Sequence, residues 1–369
     1  MKILYIITGL GMGGAEIQTC LIADKVYAEG NDIMIISLTG KTLIKPTNDI
    51  PIVELKFRKN ILSFFHSLFK ARAIIKKFKP DVIHSHMFHA NIFSRILRIF
   101  TSIPYLICTA HNTNEGNKIR MLAYRWTDKL ASISTNVSNE AVDAFIKKGA
   151  SFPGRMITII NGIDTEKFKY TEYDRINKRQ ELHVHNNQIM LLSVGRLTEA
   201  KDYPNLFKAY SRLINNDIFS EKTMLYIVGA GHLEDSLKIM AKELNISDNI
   251  IFLGIRDDIP ELMCASDVFI LPSSWEGFGL VVAEAMACQR LVIATDSGGV
   301  KEVIGNCGFL VPVKNYIALY DSMLIALNLP KKEKIELGLF ARNRIVNNYS
   351  IDKVAKIWID LYSNLSLKY

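Results

Sequence analysis

The sequence predicts an α/β protein built from two Rossmann-like domains, each with its own parallel sheet. At 369 residues the chain is too long for one ordinary core and suits two domains. Short β-type runs alternate with amphipathic helical stretches along both halves, which is typical of parallel sheets with crossover helices. A polar, charged stretch over residues 164–187 interrupts this alternation and is interpreted as the linker between the halves.

Each half contains five apolar runs that are short enough for buried strands. The predicted strands of the first half are residues 3–8, 32–38, 81–84, 105–109 and 129–132, with helices over 15–29, 61–78 and 91–100. The predicted strands of the second half are residues 189–194, 223–228, 249–253, 267–271 and 291–295, with an amphipathic final helix over 352–367. The predicted domains are therefore residues 1–165 and 188–351, joined by a linker over 166–187. In such folds ligands bind at the carboxyl ends of the strands, so we expect a cleft between two facing domains.

Composition restricts the class of protein. With 49% hydrophobic and 22% charged residues the chain is globular rather than disordered. Its five cysteines lack a C-x-x-C pair, which favours reduced thiols in the cytoplasm over a disulfide framework or a zinc site. The net charge of +8 comes from the first half, because residues 1–165 carry 21 basic and 12 acidic residues.

Residues 273–284, S-S-W-E-G-F-G-L-V-V-A-E, carry the most informative pattern. Glu276 lies on a predicted strand-to-helix turn with Gly277 and Gly279, and Glu284 follows about one and a half turns into the helix. The unpaired N–H groups of such a turn bind anions. Glu284 could accept two hydrogen bonds from a vicinal diol such as a ribose. The alternative is an ordinary surface helix with two glutamates.

Residues 9–14, G-L-G-M-G-G, satisfy the dinucleotide-binding pattern between a strand and a helix. That site also needs an acidic residue at the end of the second strand, but the only carboxylate there, Asp32, lies at the other end. A dehydrogenase is therefore disfavoured. The glycines still let the backbone approach a phosphate, and a tight turn alone would also require them.

Arg196 and Lys201 follow the first strand of the second half. Two fixed cations near a leaving diphosphate would neutralise the charge that develops as the bond to the sugar breaks. The chain offers no D-x-D carboxylate pair for a metal, and Asp257-Asp258 is better explained as a helix N-cap. A solvated basic turn is the alternative.

These segments, in this order, resemble the retaining glycosyltransferases of family 4, which have the GT-B fold. The resemblance implies that Glu284 binds the ribose, that Glu276 lies against the donor sugar, and that Arg196 and Lys201 replace a metal. It also implies that the final helix, with the tail to residue 369, crosses back onto the first domain. The implied donor-binding residues are Gly14, Gly195, Arg196, Lys201, Gly229, Gly231, Ile255, Arg256, Glu276, Gly277, Phe278, Gly279 and Glu284. The implied catalytic residues are Glu276, His111, Arg196 and Lys201, and no cofactor or metal is expected.

The acceptor would be held by the first domain, where Gly13, Glu16, His84 and His86 are the candidate residues. The turn G-G-A-E at residues 13–16 resembles the family's turn that touches the donor diphosphate or the acceptor. His84 and His86 share one face of a strand and could coordinate zinc. Because no Asp, Glu or Cys nearby completes a ligand set, acceptor binding or a hydrogen-bonded loop is favoured.

The stretch from Lys56 to Lys79 contains eight basic residues and no acidic one, around the apolar segment 61–69. A basic amphipathic helix with aromatic side chains suits an anionic membrane surface. The alternative is a core helix with a solvated basic face. Nucleic acid is disfavoured because no DNA- or RNA-binding motif accompanies the charge.

The sequence is therefore interpreted as a retaining, metal-independent glycosyltransferase of cell-envelope glycan synthesis. We expect a UDP-sugar donor, with GDP-mannose second, and a lipid-linked or polysaccharide acceptor. The enzyme would be cytoplasmic and peripheral at the inner face of the membrane. A GT-B sugar-nucleotide epimerase and a non-catalytic sugar-nucleotide binding protein are the alternatives.

Overall fold

The computed structural model describes residues 1–40, 42–58, 60–215, 219 and 222–366. Lys59 of the predicted basic stretch and residues 367–369 of the predicted C-terminal tail lie outside these ranges. The chain divides into two compact units. Unit 1 contains Met1–Gly162 and the chain from Ile351 onward, and unit 2 contains Ile163–Ser350.

Unit 1 is built on a parallel seven-stranded sheet of order β3-β2-β1-β4-β5-β6-β7. Its strands are β1 (Lys2–Ile7), β2 (Asp32–Ser37), β3 (Ile52–Glu54), β4 (Val82–His86), β5 (Tyr105–Thr109), β6 (Ile133–Asn136) and β7 (Met156–Thr158). Its first five helices are α1 (Gly14–Ala28), α2 (Ile61–Phe78), α3 (Phe88–Phe100), α4 (Lys118–Thr127) and α5 (Asn139–Lys147). Successive residues of β1 alternate between the two faces of the sheet. Ile3, Tyr5 and Ile7 therefore pack on the α1 side and Leu4 and Ile6 on the α2 and α3 side.

The predicted strand over residues 129–132 is wrong. Asp128–Leu130 form a 3₁₀ turn, and β6 begins at Ile133. Asp128 is fully buried, and its carboxylate accepts hydrogen bonds from Arg155 Nε at 2.7 Å and Ser151 Oγ at 3.1 Å. Because these partners hold the carboxylate in place, the chain turns before it can enter the sheet.

The last helix, α14 (Ile351–Ser366), returns to unit 1 as predicted and packs against α1. Its buried face contributes Val354, Trp358 and Tyr362 to the core on that side of the sheet. The chain leaves unit 1 beside the point where it re-enters, because a Cβ on Gly162 would lie 2.8 Å from the Cα of Ile351. The side-chain amide of Gln18 holds this exit with two hydrogen bonds to the Gly162 backbone, at 2.6 and 2.8 Å.

Unit 2 is built on a parallel six-stranded sheet of order β10-β9-β8-β11-β12-β13. Its strands are β8 (Ile189–Val194), β9 (Thr223–Val228), β10 (Ile250–Gly254), β11 (Val268–Leu271), β12 (Leu291–Thr295) and β13 (Phe309–Val311). Its helices are α6 (Glu172–Glu181), α7 (Tyr203–Ile214), α8 (Glu234–Glu243), α9 (Ile259–Ala265), α10 (Leu280–Ala287), α11 (Val300–Ile304), α12 (Tyr316–Asn328) and α13 (Lys331–Tyr349). The predicted fold class of two parallel Rossmann-like sheets is confirmed.

The predicted linker over residues 166–187 is wrong, because α6 lies inside it and packs against α9 of unit 2. The Thr171 side chain caps α6 by accepting a hydrogen bond from the Asp174 N–H at 3.0 Å. Arg175 donates to the carbonyls of Cys264 and Ala265 and forms an ion pair with Asp267 at 2.6 Å. The polar composition that suggests a linker thus belongs to a helix whose arginines satisfy carbonyls of the neighbouring element. The boundary between the units falls at residue 162 rather than 165, and the second boundary falls at residue 350.

Candidate functional site

Glu276 lies in the turn between β11 and α10 of unit 2, where the sequence predicts it. Its Oε1 atom forms an ion pair with Lys201 Nζ and accepts a hydrogen bond from Ser273 Oγ at 2.7 Å. The two charged side chains are only 14% and 17% exposed. Because a charge removed from water needs a counter-charge, the contact between the two side chains compensates both partly buried charges.

The backbone of this turn touches the loop that follows β12. Gly298 has a φ of +59°, and a Cβ at this position would lie 2.0 Å from the carbonyl oxygen of Glu276. The Gly299 N–H also donates to the Gly277 carbonyl at 3.2 Å. Only glycine at position 298 allows this approach, so the loop fixes the backbone that carries Glu276. Gly298 is not among the predicted site residues, although Ser297-Gly298-Gly299 directly after a strand is a signal for such a loop.

Arg196 and Lys201 both follow the carboxyl end of β8. Lys201 ends a short 3₁₀ turn, and a Cβ on Gly195 would lie 3.0 Å from Lys201 Cε, so Gly195 leaves room for the lysine side chain. The Arg196 side chain is exposed and has neither a hydrogen-bond partner nor an ion-pair partner within the described part of the chain. Its guanidinium is therefore available to an anion.

Gly229 and Gly231 lie in the turn after β9, the strand next to β8. Gly229 has a φ of +132°, and a Cβ there would lie 2.1 Å from the Gly195 carbonyl oxygen. A Cβ on Gly231 would lie 2.2 Å from the Leu197 carbonyl oxygen. Packing of the two turns against each other therefore accounts for both glycines, and it brings both turns to one edge of the sheet.

Glu284 lies on α10 and is half-buried. Burial raises the pKa of its carboxyl to about 7, against the opposing effect of Lys167 and Lys201. Among the described residues none donates a hydrogen bond to this carboxyl. Glu284 is thus a carboxyl with free acceptor capacity. Lys201, the ion-pair partner of Glu276, is also close enough to lower the pKa of Glu284.

If Glu284 binds the diol that the family resemblance implies, the affinity for a UDP-sugar should rise as pH increases from about 6 to about 8, because the ionised carboxyl accepts two hydrogen bonds from a diol more strongly than the neutral acid does. Titration calorimetry of UDP-galactose without acceptor, at several pH values, would measure this. Glu284→Gln should bind more weakly and lose the pH dependence. An unchanged pH dependence in Glu284→Gln would contradict the assignment of Glu284 to diol binding.

The free energy of unfolding should fall over the pH range in which the donor affinity rises. The pKa of Glu284 is raised in the folded state, so the stability that comes from its protonated form is lost as pH rises from 4.5 through 7.

Two of the predicted donor-binding positions, Arg256 and Phe278, have side chains that are engaged elsewhere in the fold. The Arg256 guanidinium donates to Asp258 Oδ1 at 2.7 Å and to Glu181 Oε1 at 2.9 Å, so it joins α6 to the loop before α9. The Phe278 side chain is buried, with its ring 5.7 Å from that of Tyr349. Another predicted donor-binding position, Ile255, has a side chain that is 64% exposed. At Arg256 and Phe278 only the backbone remains for a donor, because the side chains already serve the fold.

In unit 1 the predicted glycine turn leads into α1, and Gly13 is the extended residue before the helix. A Cβ on Gly13 would lie 2.6 Å from Glu16 Oε2, so the Glu16 carboxylate folds back over the turn. An acidic residue in the first turn of a helix interacts favourably with the helix dipole. Glu16 therefore occupies the region of Gly13 and Gly14 that would otherwise attract a phosphate.

His84 is fully buried, and both ring nitrogens are used by the fold. Its Nδ1 lies 2.7 Å from the Tyr362 hydroxyl of α14, and its Nε2 lies 2.6 Å from Thr109 Oγ1 of β5. His84 therefore has no ring nitrogen left for an acceptor or for zinc, and it holds α14 against the sheet. No group of three or more metal-ligating side chains lies together in the part of the chain that the structure describes.

His86 and His111 form a pair at the carboxyl ends of β4 and β5, with His86 Nδ1 3.2 Å from His111 Nε2. The other two nitrogens, His86 Nε2 and His111 Nδ1, are buried without a hydrogen-bond partner among the described residues. Burial lowers the pKa of His111 to about 4 and also lowers that of His86. Both rings are therefore neutral near pH 7, which suits hydrogen bonding to a sugar hydroxyl rather than neutralising a diphosphate.

Two family models match the chain. The model described as Glycosyltransferase Family 4 covers residues 12–167, and the model described as Glycosyl transferases group 1 covers residues 174–339. The chain belongs to glycosyltransferase family 4. The residues predicted to be catalytic or donor-binding lie within the regions that the two models match.

Relatives of this glycosyltransferase include the UDP-Gal:alpha-D-GlcNAc-diphosphoundecaprenol alpha-1,3-galactosyltransferase of Escherichia coli. It is 29% identical over 322 residues, covering 83% of this chain and 82% of the relative. A Campylobacter jejuni relative, an N-acetylgalactosaminyltransferase named for a diphospho-undecaprenol acceptor, is 30% identical over 185 residues, or 49% of this chain and 47% of the relative.

Solved structures show the same fold. The Anabaena protein HepE in complex with UDP and glucose aligns with a TM-score of 0.86 at 22% identity, covering 99% of this chain and all of that one. Sucrose-phosphate synthase from Thermosynechococcus elongatus aligns with a TM-score of 0.88 at 20% identity over the full length of both chains. The glycosyltransferase therefore has the GT-B fold.

Proposed function

We propose that this glycosyltransferase transfers a sugar from a UDP-sugar to a lipid-linked acceptor, with retention at the anomeric carbon and without a metal ion. The observation that carries the proposal is the group of Lys201, Glu276 and Ser273, with Arg196 nearby in sequence and without an ion-pair partner among the described residues. It supplies two cations and an ionised carboxylate at the carboxyl ends of β8 and β11, where this class of sheet binds ligands.

The residues suggest a division of roles in the transfer. As the anomeric C–O bond breaks, negative charge grows on the diphosphate, and Arg196 and Lys201 would stabilise it. Glu276 Oε1 is already bound by Lys201 and Ser273, which suits orienting sugar hydroxyls or steadying positive charge on the ring. The acceptor hydroxyl would then attack from the face that the diphosphate leaves. His111, neutral and with one unpaired nitrogen, is the unit 1 candidate for a sugar contact.

The choice of donor and acceptor is supported by the Escherichia coli relative, whose name specifies UDP-galactose and a diphosphoundecaprenol acceptor. The Campylobacter jejuni relative is likewise named for a diphospho-undecaprenol acceptor. GDP-mannose is the second candidate donor. A polyprenyl acceptor and the basic, partly apolar surface of α2 also support a peripheral position at the inner face of the cytoplasmic membrane. No helix of the described residues is both long and apolar enough to span a bilayer.

Nucleotide release should depend on the acceptor and should be fastest with a UDP-sugar. The assay would pair UDP-galactose, UDP-N-acetylhexosamines and GDP-mannose with a short-chain polyprenyl-diphosphate sugar, because a short chain removes the need for a bilayer. Proton NMR of the product should show the anomeric configuration of the donor. An epimerised nucleotide-sugar without acceptor would indicate an epimerase, and binding without turnover would indicate a non-catalytic protein. A GDP-mannose preference would contradict the donor assignment alone.

A further inference from the structure

The helix α4 of unit 1 exposes an apolar stripe to solvent. Ile119, Leu122 and Trp126 are 75%, 46% and 77% exposed. Their spacing of three and four residues places them on one side of the helix. The opposite side of α4 is anchored, because Met121 and Tyr124 are buried in a core cluster with Phe145. The exposed stripe is therefore not needed to hold α4 in place.

The surroundings of this stripe are basic. Residues 118–130 carry Lys118, Arg120, Arg125 and Lys129, and the one acidic residue among them is Asp128. Asp128 is fully buried and ion-paired with Arg155 at 2.7 Å, so its charge is compensated within the fold. The accessible charge around the stripe is positive, which disfavours a second copy of this chain as the partner and favours a negatively charged surface.

The stripe on α4 has a counterpart on α2. There Ile61, Leu62, Phe65 and Phe69 are 50% to 84% exposed among the basic residues of the same helix. The helix α3 packs against both α2 and α4, so the two apolar sets lie on helices that flank α3. Both helices also follow the carboxyl ends of strands, α2 after β3 and α4 after β5. That is the edge of the sheet at which the His86–His111 pair lies.

We propose that α4 is a second membrane-contact helix, which inserts Ile119, Leu122 and Trp126 into the headgroup region of an anionic bilayer. Tryptophan favours this region because its ring is apolar while its indole N–H can still reach water or headgroups. One helix with a few apolar side chains binds reversibly, and a second helix both strengthens binding and fixes the orientation of unit 1. The inference rests on the proposed lipid-linked acceptor, which must be presented at that surface.

The fluorescence of Trp126 tests the proposal directly. The chain has three tryptophans, of which Trp358 is only 2% exposed. Replacing the exposed Trp275 with Phe leaves Trp126 as the one tryptophan at the surface. Vesicles of phosphatidylglycerol and phosphatidylcholine should shift its emission to shorter wavelength, and the same vesicles with brominated acyl chains should also quench it. Vesicles of phosphatidylcholine alone should do so much less, because the attraction to the basic residues is lost.

Substitutions distinguish the contribution of α4 to vesicle binding from that of α2. In the Trp275→Phe protein, Ile119→Ser with Leu122→Ser should weaken vesicle sedimentation and quenching. Phe340→Ser, which alters a 64% exposed side chain of unit 2, is the matched control and should leave both unchanged. Lys70→Glu, Lys76→Glu and Lys77→Glu together should weaken sedimentation through α2. Unchanged binding of UDP-galactose in each variant would show that the fold is intact.

Sedimentation with anionic vesicles without quenching of Trp126 would overturn the α4 proposal and leave α2 as the contact. Quenching or an emission shift that follows protein concentration without vesicles would overturn it in favour of self-association. An absence of sedimentation would remove the membrane contact altogether. The proposed function would still be tested by transfer to the short-chain acceptor, which needs no bilayer. A failure of the membrane contact can therefore be told apart from a failure of the proposed function.

Discussion

Lys201→Ala should lower kcat by about 10²-fold or more, on the order of 3 kcal/mol, the size found when a key transition-state contact is removed. Lys201 provides charge for the leaving diphosphate and is also the counter-ion of Glu276, whose side chain is only 14% exposed. Its removal therefore leaves a mostly buried carboxylate uncompensated beside a developing negative charge. Arg196→Ala should show a similar loss in kcat without this secondary effect, because Arg196 has no ion-pair partner among the described residues.

Lys208→Ala is the matched control for these variants, since Lys208 is an exposed lysine on α7. It should leave steady-state nucleotide release unchanged.

Activity should also persist in EDTA if Arg196 and Lys201 neutralise the diphosphate. Loss of activity in EDTA that Mg²⁺ or Mn²⁺ restores would contradict a metal-independent reaction. A raised KM with normal kcat in Lys201→Ala would show that the lysine contributes binding but no transition-state stabilisation.

Glu276→Ala should mainly lower kcat, again by about 10²-fold, because its contact with the sugar is expected to strengthen as positive charge develops on the ring. The loss should not add to that of Lys201→Ala, since the two side chains form one ion pair and act as a unit. A double-mutant cycle on kcat would measure the coupling. Ser273→Ala, which removes only the 2.7 Å hydrogen bond to Oε1, should show a smaller loss of the same kind.

Additive losses in this cycle would mean that Lys201 and Glu276 act separately, despite their contact. A change confined to KM in Glu276→Ala would assign this residue to ground-state binding. Thermal shifts with UDP-galactose would show whether each variant still folds and binds the donor.

The strands that the sequence predicts well are the buried ones. Residues 189–194, 223–228 and 291–295 coincide with β8, β9 and β12, because strands buried on both faces appear as continuous apolar runs between turn residues. The place of the two glutamates in the fold is also predicted correctly. Glu276 lies in a strand-to-helix turn and Glu284 lies on the following helix, since the glycines and the helix-forming run specify this local structure.

The parts that the sequence does not predict depend on distant partners. The polar helix α6 is stable through carbonyls of residues about 90 positions away, so its composition alone suggests a linker. Glu276 and Lys201 are 75 residues apart, and His84 and Tyr362 are 278 apart, so neither contact is visible in a local pattern. The His84 example shows the limit most clearly. A polar residue at a strand end favours a ligand role in the sequence, but the structure uses both of its nitrogens for α14 and β5.

The return of α14 to unit 1 has a consequence for the order in which the enzyme is made. Unit 2 is one continuous segment, whereas the core of unit 1 needs Trp358 and Tyr362, which follow all of unit 2 in the chain. On the ribosome, unit 2 can therefore fold while the buried ring of His84 still lacks its Tyr362 partner. Because Gly162 and Ile351 lie side by side, the chain leaves and re-enters unit 1 at the same place in the folded protein. The half of the enzyme that begins synthesis first is thus the last to be completed.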